Sequence, residues 1–175
     1  MRSALVLTFV CLATQLAMPV FANENAPSPH PLLKSIADEI SPSELQATIE
    51  QLVGFGTRHT LSDTKSTTRG IGAARRWVKG RFATFSRTCG GCLEVTMPGQ
   101  IFTGDRLPGP TAIADVLAIQ RGTSDPDRVI VISGHIDSRV TDPMNATSDA
   151  PGADDDGSGT AAVIEAARVL SRHKF

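Results

Sequence analysis

Residues 129–132, which read Val-Ile-Val-Ile, constrain the fold of this sequence more than any other segment. A run of β-branched apolar residues is typical of a strand buried on both faces, as in a parallel or mixed sheet covered by helices. We extend this predicted strand over residues 128–134. Segments with helical spacing of apolar residues precede and follow it, and strands that alternate with helices predict a layered α/β fold.

Shorter patterns predict the elements around this strand. The capping box Ser41-Pro42-Ser43-Glu44 predicts the start of a helix, and Gly54 and Gly56 end it. Apolar spacing predicts two further helices over residues 68–82 and 159–173. Two short strands are predicted over residues 93–97 and 113–119, with a loop between them.

Residues 1–22 have the pattern of a secretory signal peptide. A single positive charge at Arg2 precedes a mostly apolar run, and Ala22 comes before a polar start. The alternative is a membrane anchor, but the apolar run is shorter than the ~20 residues that span a bilayer and ends at Pro19. We therefore expect cleavage, a leader over residues 23–40, a secreted or periplasmic product, and no membrane partner after cleavage.

The charge and aromatic content disfavour several binding functions. The chain has 17 Lys and Arg against 18 Asp and Glu, which leaves no broad basic surface for nucleic acid. With Phe 7, Trp 1 and Tyr 0, the sequence also argues weakly against a stacking platform for single strands or glycans. We expect no nucleic-acid partner.

Cys89 and Cys92 are separated by two glycines in a chain predicted to reach an oxidising compartment. We favour a local disulfide, because the glycines supply the backbone freedom that so short a loop needs. The alternatives are a redox-active pair and half of a zinc knuckle. The first requires a thioredoxin-like context and the second another Cys or His pair at matching spacing, and the sequence contains neither.

Two groups of potential metal ligands lie beside the predicted buried strand. His135 and Asp137 follow it directly, and the run Asp154-Asp155-Asp156 comes just before the last predicted helix. Ligands bind at the carboxyl edge of strands in open α/β sheets, and imidazole and carboxylate are zinc ligands. In an extended segment His135 and Asp137 face the same side, so Asp137 can orient the imidazole.

Each segment also has a structural interpretation. A histidine after a strand is commonly a satisfied structural residue, and an Asp-rich run before glycine is commonly a solvated turn, a helix cap or a calcium loop. The calcium alternative is weakened because the loop lacks the alternating ligands and terminal Glu of an EF-hand. The joint placement of the two segments favours a metal site over these alternatives.

The stretches Val-Ile-Ser-Gly-His-Ile-Asp-Ser and Ala-Pro-Gly-Ala-Asp-Asp-Asp-Gly-Ser-Gly resemble peptidase family M28, the secreted zinc aminopeptidases of the bacterial leucyl aminopeptidase type. The resemblance is densest over residues 128–175 and extends more loosely through residues 55–58 and 69–82. It implies a three-layer α/β/α sandwich with a mixed, mostly parallel sheet.

By this resemblance the site would hold two zinc ions. His135 would ligate one zinc, Asp155 would bridge both, and Asp137 would orient His135 without ligating the metal. Asp154 and Asp156 are not carried over as ligands. The implied reaction is hydrolysis of the N-terminal residue from a peptide substrate with a free N-terminus, by metal-activated water.

The family's adjacent glutamates, which supply the general base and a zinc ligand, have no counterpart here because the sequence contains no Glu-Glu. His30, His59 and His173 lie in no matching motif. We therefore expect residues 41–175 to be the N-terminal part of an M28-type peptidase domain, incomplete at the C-terminus and without the general base. The alternatives are a truncated non-catalytic product, a weak metal-binding module, and a related carboxypeptidase or deacylase.

Overall fold

A computed structural model describes residues 30–175 of the chain. The predicted signal peptide and most of the predicted leader lie outside the described residues. No helix within the described range combines the length and apolar character needed to cross a bilayer. In chain order the elements are α1 Pro31–Asp38, α2 Pro42–Gly54, α3 Gly70–Thr88, β1 Leu93–Thr96, β2 Gly99–Phe102, β3 Thr111–Ala114, β4 Leu117–Gln120, a π-helical turn Ala153–Ser158, and α4 Gly159–Leu170.

Helix α2 begins as the capping box predicts. Ser41 Oγ accepts a hydrogen bond from the Glu44 backbone N–H at 3.3 Å, and Pro42 occupies the first turn. The helix ends at Gly54, and Gly56 follows with a φ of +71°, a left-handed conformation that favours glycine. This predicted helix is confirmed.

Helix α3 is longer than the helix predicted over residues 68–82. Val78, Phe82 and Phe85 are all buried and lie at helical spacing along one face. The apolar face therefore continues for more than another turn beyond the predicted end. The helix stops where two glycines with positive φ follow, since these residues leave the right-handed region.

The four strands form two separate antiparallel pairs, one nested inside the other along the chain. β1 pairs with β4, with Leu93 opposite Gln120, and β2 pairs with β3, with Gly99 opposite Ala114. The strand predicted over residues 93–97 is confirmed as β1. Strand β2 lies in residues that the sequence assigned to a loop.

The single strand predicted over residues 113–119 is wrong, because those residues are divided between β3 and β4. The division falls where the chain crosses from one antiparallel pair to the other. At this crossing the Asp115 backbone N–H donates to the Pro98 carbonyl at 3.0 Å. Pro98 has no N–H to continue the β1 ladder, so the inner pair begins after it.

Residues 128–134 form no strand within the described range. The side chains of Val129, Ile130, Val131 and Ile132 are exposed, with relative accessibilities of 79%, 83%, 79% and 54%. A strand buried on both faces lies within a sheet: other strands pair with its edges, and helices cover its faces. None of the described strands pairs with this segment. The buried-strand prediction is therefore wrong for residues 30–175.

The same finding corrects the predicted architecture. The described residues contain helices and two small antiparallel sheets, so the fold is a mixture of α and β structure as predicted. They do not form the expected three-layer α/β/α sandwich with a mixed, mostly parallel sheet. Such a sheet is held together by strands paired on both edges, and residues 128–134 have no such pairing here.

Two clusters of buried apolar side chains form the core. The first joins α3, β1 and α4 and consists of Val78, Phe82, Phe85, Leu93 and Ile164. The second joins α2 to α3 and consists of Leu52, Phe55, Ala73 and Ala74. Trp77 and Ile136 pack against both clusters and so connect them.

A buried ion pair within α4 connects this helix to the residues just before α2. Arg168 Nη2 lies 2.6 Å from Glu165 Oε1, and the two side chains are only 13% and 7% exposed. The Glu165 carboxylate also accepts the Ser41 backbone N–H at 2.7 Å, while Arg168 donates to the Glu39 carbonyl at 2.7 Å. Glu165 is therefore a structural residue.

Two glycines of α3 provide a matched test of the packing between this helix and the preceding loop. A Cβ at Gly72 would overlap the Thr64 carbonyl, whereas a Cβ at Gly80 meets nothing within 4 Å. We expect Gly72→Ala to lower the free energy of unfolding by about 2 kcal/mol through overpacking. Gly80→Ala should raise it by about 0.5 kcal/mol, because alanine has the higher helix propensity. Urea unfolding measures both, and equal effects would contradict the described packing.

The Glu165–Arg168 pair predicts a specific loss of stability in acid. Hydrogen bonds from Arg168 hold the pKa of Glu165 below its ordinary value of 4.5. A depressed folded-state pKa contributes stability that is present above the unfolded-state pKa and is lost as the pH falls through the folded-state pKa. We therefore expect wild-type stability to decrease below about pH 4.5 and to decrease less in Glu165→Gln.

Urea unfolding at neutral pH and at about pH 3.5 measures this difference. At neutral pH the Glu165→Gln variant should be less stable by about 3 kcal/mol, because the Arg168 cation stays buried without its partner. Glu50 is exposed on α2, so Glu50→Gln is the matched control and should change little. An identical acid profile in the wild type and Glu165→Gln would show that the pair does not govern acid stability.

Candidate metal centre

The direction of the His135 and Asp137 side chains follows from the packing of the residue between them. Ile136 packs against both core clusters. In an extended segment neighbouring side chains point to opposite sides, so His135 and Asp137 both turn away from the core. Their side chains are 58% and 43% exposed.

The His135 backbone is fixed on the N-terminal end of α4. Its N–H donates to Asp156 Oδ2 at 2.9 Å, and its carbonyl accepts the Thr160 hydroxyl at 3.1 Å. The preceding residue is glycine for a steric reason, because a Cβ at Gly134 would lie 2.8 Å from the Gly159 carbonyl carbon. Because any other residue at position 134 has a Cβ, only glycine allows the backbone to lie this close to the start of α4.

The three consecutive aspartates have different surroundings. Asp155 has a non-helical backbone within the π-helical turn, and its side chain is 90% exposed with Oδ1 3.0 Å from His135 Nε2. Asp156 turns the other way and accepts the backbone N–H of Gly159, the first residue of α4, at 3.0 Å. Asp154 is exposed and makes no side-chain hydrogen bond to the described residues.

The sequence interpretation did not carry Asp156 over as a ligand and weighed the Asp-rich run as a whole against a solvated turn, a helix cap or a calcium loop. The bond from Asp156 to the His135 backbone connects residues that are 21 positions apart. Residue types and spacing alone do not reveal a bond of that separation.

The His135 ring lies between two carboxylates. Its Nδ1 is 3.2 Å from the Asp137 carbonyl oxygen and 3.3 Å from Asp137 Oδ1, and both of these groups are acceptors. A neutral imidazole therefore carries its proton on Nδ1 and directs the Nε2 lone pair towards Asp155. Asp137 is itself held by the Thr60 hydroxyl at 3.3 Å.

Charge also affects the protonation of His135. Partial burial lowers the pKa of His135, but the hydrogen bond to the Asp137 carbonyl and the negative charges of Asp137, Asp156 and Asp155 outweigh it and raise the pKa. The same negative charges attract any other cation at this position. A proton and a metal ion compete for the same Nε2 atom.

The donor geometry fits zinc. A neutral His135 Nε2 and an ionised Asp155 Oδ1 are both acceptors only 3.0 Å apart, so a cation between them relieves the repulsion. Two donors on one tetrahedral zinc, each at ~2.0 Å from the ion, lie about 3.3 Å apart. Within residues 30–175 no group of three or more His, Cys, Asp or Glu side chains converges in a way that could hold a metal ion.

The pair lines an open cleft of about 420 Å³ that also contains Asp137. A larger cavity of about 670 Å³ lies at the other end of α4, beside Arg168 and Arg172. Its lining includes the disulfide-bonded Cys89 and Cys92, whose Cα atoms are 5.6 Å apart. The larger cavity therefore lies away from the residues that favour a metal.

The remaining described histidines have structural contacts. His59 is buried, its Nδ1 accepts the Leu61 N–H at 3.0 Å, and its Nε2 then donates to the Pro143 carbonyl at 3.0 Å. His30 is exposed and accepts the Leu32 N–H at the start of α1, while His173 contacts Glu39. None of the three lines the cleft that contains His135.

Arg58 is a residue of this region that the sequence interpretation did not single out. It is fully buried, and its guanidinium donates to four backbone carbonyls, those of Leu52, Ile136, Pro151 and Gly152. Burial lowers the pKa of Arg58, although nearby Asp137 and Asp156 act in the opposite direction. Arginine is one of the residue types least often buried, so residue type alone did not indicate that Arg58 is buried.

Comparison with known families shows which class of protein the region around this site resembles. Residues 115–175, which include His135, Asp137 and Asp155, match the model of Peptidase family M28. The resemblance that the two sequence motifs indicated is thereby confirmed. Residues 115–175 are thus similar in sequence to this peptidase family.

Individual relatives extend the similarity upstream of residue 115. A probable zinc metalloprotease of Pyricularia oryzae is 46% identical over 157 residues, which cover 89% of this chain and 31% of the relative. A probable zinc metalloprotease of Pyrenophora teres f. teres is 47% identical over 147 residues, which cover 83% of this chain and 30% of the relative. A third, of Phaeosphaeria nodorum, is 36% identical over 157 residues, which cover 81% of this chain and 32% of the relative. The chain thus spans about a third of the length of these relatives.

Proposed function

We propose that this chain supplies part of the metal centre of a zinc peptidase. The observation that carries the proposal is the approach of His135 Nε2 to Asp155 Oδ1 at 3.0 Å, which brings an imidazole nitrogen and a carboxylate oxygen, two zinc-ligand types, to one point. The match to family M28 and the names of the relatives support zinc as that cation. When bound, zinc supplies Lewis acidity for hydrolysis of a peptide bond.

Each residue of the centre has a separate role in the proposal. His135 and Asp155 would hold the metal, and in a site with two zinc ions Asp155 would be the ligand common to both. Asp137 accepts a hydrogen bond from His135 Nδ1–H, which would keep the Nε2 lone pair available to the metal. Asp156 holds the His135 backbone on α4 and does not ligate.

The finer assignment is an aminopeptidase that removes N-terminal residues from peptides with a free N-terminus. The likeness of the Pro-Gly-Ala-Asp-Asp-Asp-Gly-Ser-Gly run to the aminopeptidases supports it. The open cleft beside His135 is accessible to a peptide end. We further propose that residues 41–175 are the N-terminal part of the peptidase domain, with the general base supplied elsewhere, and that the protein is secreted or periplasmic.

A second candidate is a non-catalytic metal-binding module. It is favoured by one observation, that the described residues bring only two ligands together. A catalytic zinc site commonly has three protein ligands. The two candidates differ in turnover, since a module binds zinc without hydrolysing a peptide.

The metal centre is tested by neighbouring substitutions in the protein encoded by the complete gene. Asp155→Ala should lower kcat/KM for chelator-sensitive peptide hydrolysis by at least about 100-fold, because a shared ligand is lost. Asp154→Ala removes the same charge from the adjacent exposed residue and is the matched control, which should retain activity. Zinc content of each purified variant is measured alongside the kinetics.

Three outcomes separate the candidates. Loss of both zinc and activity in Asp155→Ala alone supports the peptidase. Zinc binding by the wild type without any peptide hydrolysis would favour the non-catalytic module. Equal zinc content in the wild type and Asp155→Ala would refute the role of Asp155 as a ligand.

The aminopeptidase assignment is tested separately with paired substrates. A leucine anilide with a free amino group should be hydrolysed at least about 100-fold faster than its N-acetyl form, if the enzyme recognises the free amine. The measurement is the release of the aniline, with and without a chelator. Comparable cleavage of the acetylated compound, or cleavage at internal bonds of a blocked peptide, would identify an endopeptidase instead.

A further inference from the structure

We propose that Arg58 is a positioning residue that sets the separation between His135 and Asp155. The inference rests on the proposed function, in which these two side chains hold zinc. Arg58 lies far upstream in the sequence, but it contacts both metal-binding segments. It acts through their backbones and touches neither ligand side chain.

The four carbonyl groups that accept from Arg58 belong to three parts of the chain. Arg58 Nε donates to the Ile136 carbonyl at 2.8 Å, directly between His135 and Asp137. Nη1 and Nη2 donate to the Pro151 and Gly152 carbonyls at 2.7 and 2.9 Å, at the start of the turn that carries Asp155. One planar group therefore joins the two segments directly.

The fourth bond fixes Arg58 to the helical part of the fold. Nη1 also donates to the Leu52 carbonyl at 2.9 Å, near the end of α2. Leu52 is fully buried in the core cluster between α2 and α3. Arg58 thus attaches both metal-binding segments to the packed core.

The backbone of Arg58 makes a second connection between the same segments. Its N–H donates to Ser138 Oγ at 3.1 Å, and that hydroxyl donates to the Ala150 carbonyl at 2.6 Å. A Cβ at Gly152 would lie 3.1 Å from Arg58 Nη2 and 2.7 Å from Ser138 Cβ, so the loop packs directly on both side chains. These contacts leave little freedom for the loop to move relative to His135.

The chemistry of arginine suits this role better than that of any other cation. A guanidinium has five N–H donors in a fixed plane, whereas an ammonium is a point charge with rotatable donors. Burial of a cation against neutral carbonyls costs free energy that an apolar side chain of similar volume would not require. The directional bonds to the two segments give a reason for placing arginine here.

Arg58→Lys in the protein encoded by the complete gene tests the inference. We expect the affinity for zinc, measured by competition with a chromophoric chelator, to fall about 10-fold or more, as for other residues that support a ligand. The absorption spectrum of the cobalt-substituted protein should also change, because it reports ligand geometry. Arg76 is exposed and its guanidinium also donates to backbone carbonyls, those of Thr64, Lys65 and Ser66. Arg76→Lys is therefore the matched control and should leave zinc affinity unchanged.

The outcomes distinguish this inference from the proposed function. Wild-type zinc affinity and cobalt spectrum in a folded Arg58→Lys, whatever its melting temperature, would overturn the positioning role alone. Retention of zinc by His135→Ala, or absence of zinc from the wild type, would overturn the proposed function and the positioning role with it. If Arg58→Lys does not fold, Arg58→Gln decides, since it keeps two N–H donors and removes the other guanidinium donors to the two segments. Lower zinc affinity in Arg58→Gln supports the inference, and unchanged affinity overturns it.

Discussion

The candidate metal centre depends on the packing of Ile136 against both core clusters. This one apolar contact fixes the phase of the extended segment, so that the residues on either side face the cleft. A shift by one residue would bury His135 and Asp137 and expose Ile136. The packing of Ile136 determines which side chains face the cleft. The hydrogen bonds to Asp156 and from Arg58 then hold the backbone of this segment in place.

Local signals in the sequence predicted a substantial part of this structure. The capping box at Ser41 gave the start of α2 correctly because its bonds join residues only three apart. The His135 and Asp155 motifs stood out in the sequence because each is a contiguous run that contains metal-binding residue types. Helix α3 was predicted too short, since Phe85 continues the apolar face beyond the predicted end. In each of these cases the relevant interaction is close in sequence.

The features that escaped prediction depend on contacts between distant residues. The run at residues 129–132 has the composition of a buried strand, but burial requires partner strands, and the described residues supply none. Arg58 was unremarkable in the sequence because its acceptors are backbone carbonyls, which every residue type possesses. The division of residues 113–119 into β3 and β4 arises from pairing with β2 and β1, which are set by the crossing at Pro98.

The exposed run at residues 129–132 has a consequence for handling the protein. Four adjacent β-branched side chains in an extended segment, with no described strand beside them, form a template on which another chain can add a strand. A separately produced polypeptide of residues 30–175 would therefore carry an aggregation-prone edge immediately before His135. The solubility of this polypeptide would depend on which segment covers that edge. A protein designed from this chain therefore needs a charged residue in the run, or a helix or loop packed over it.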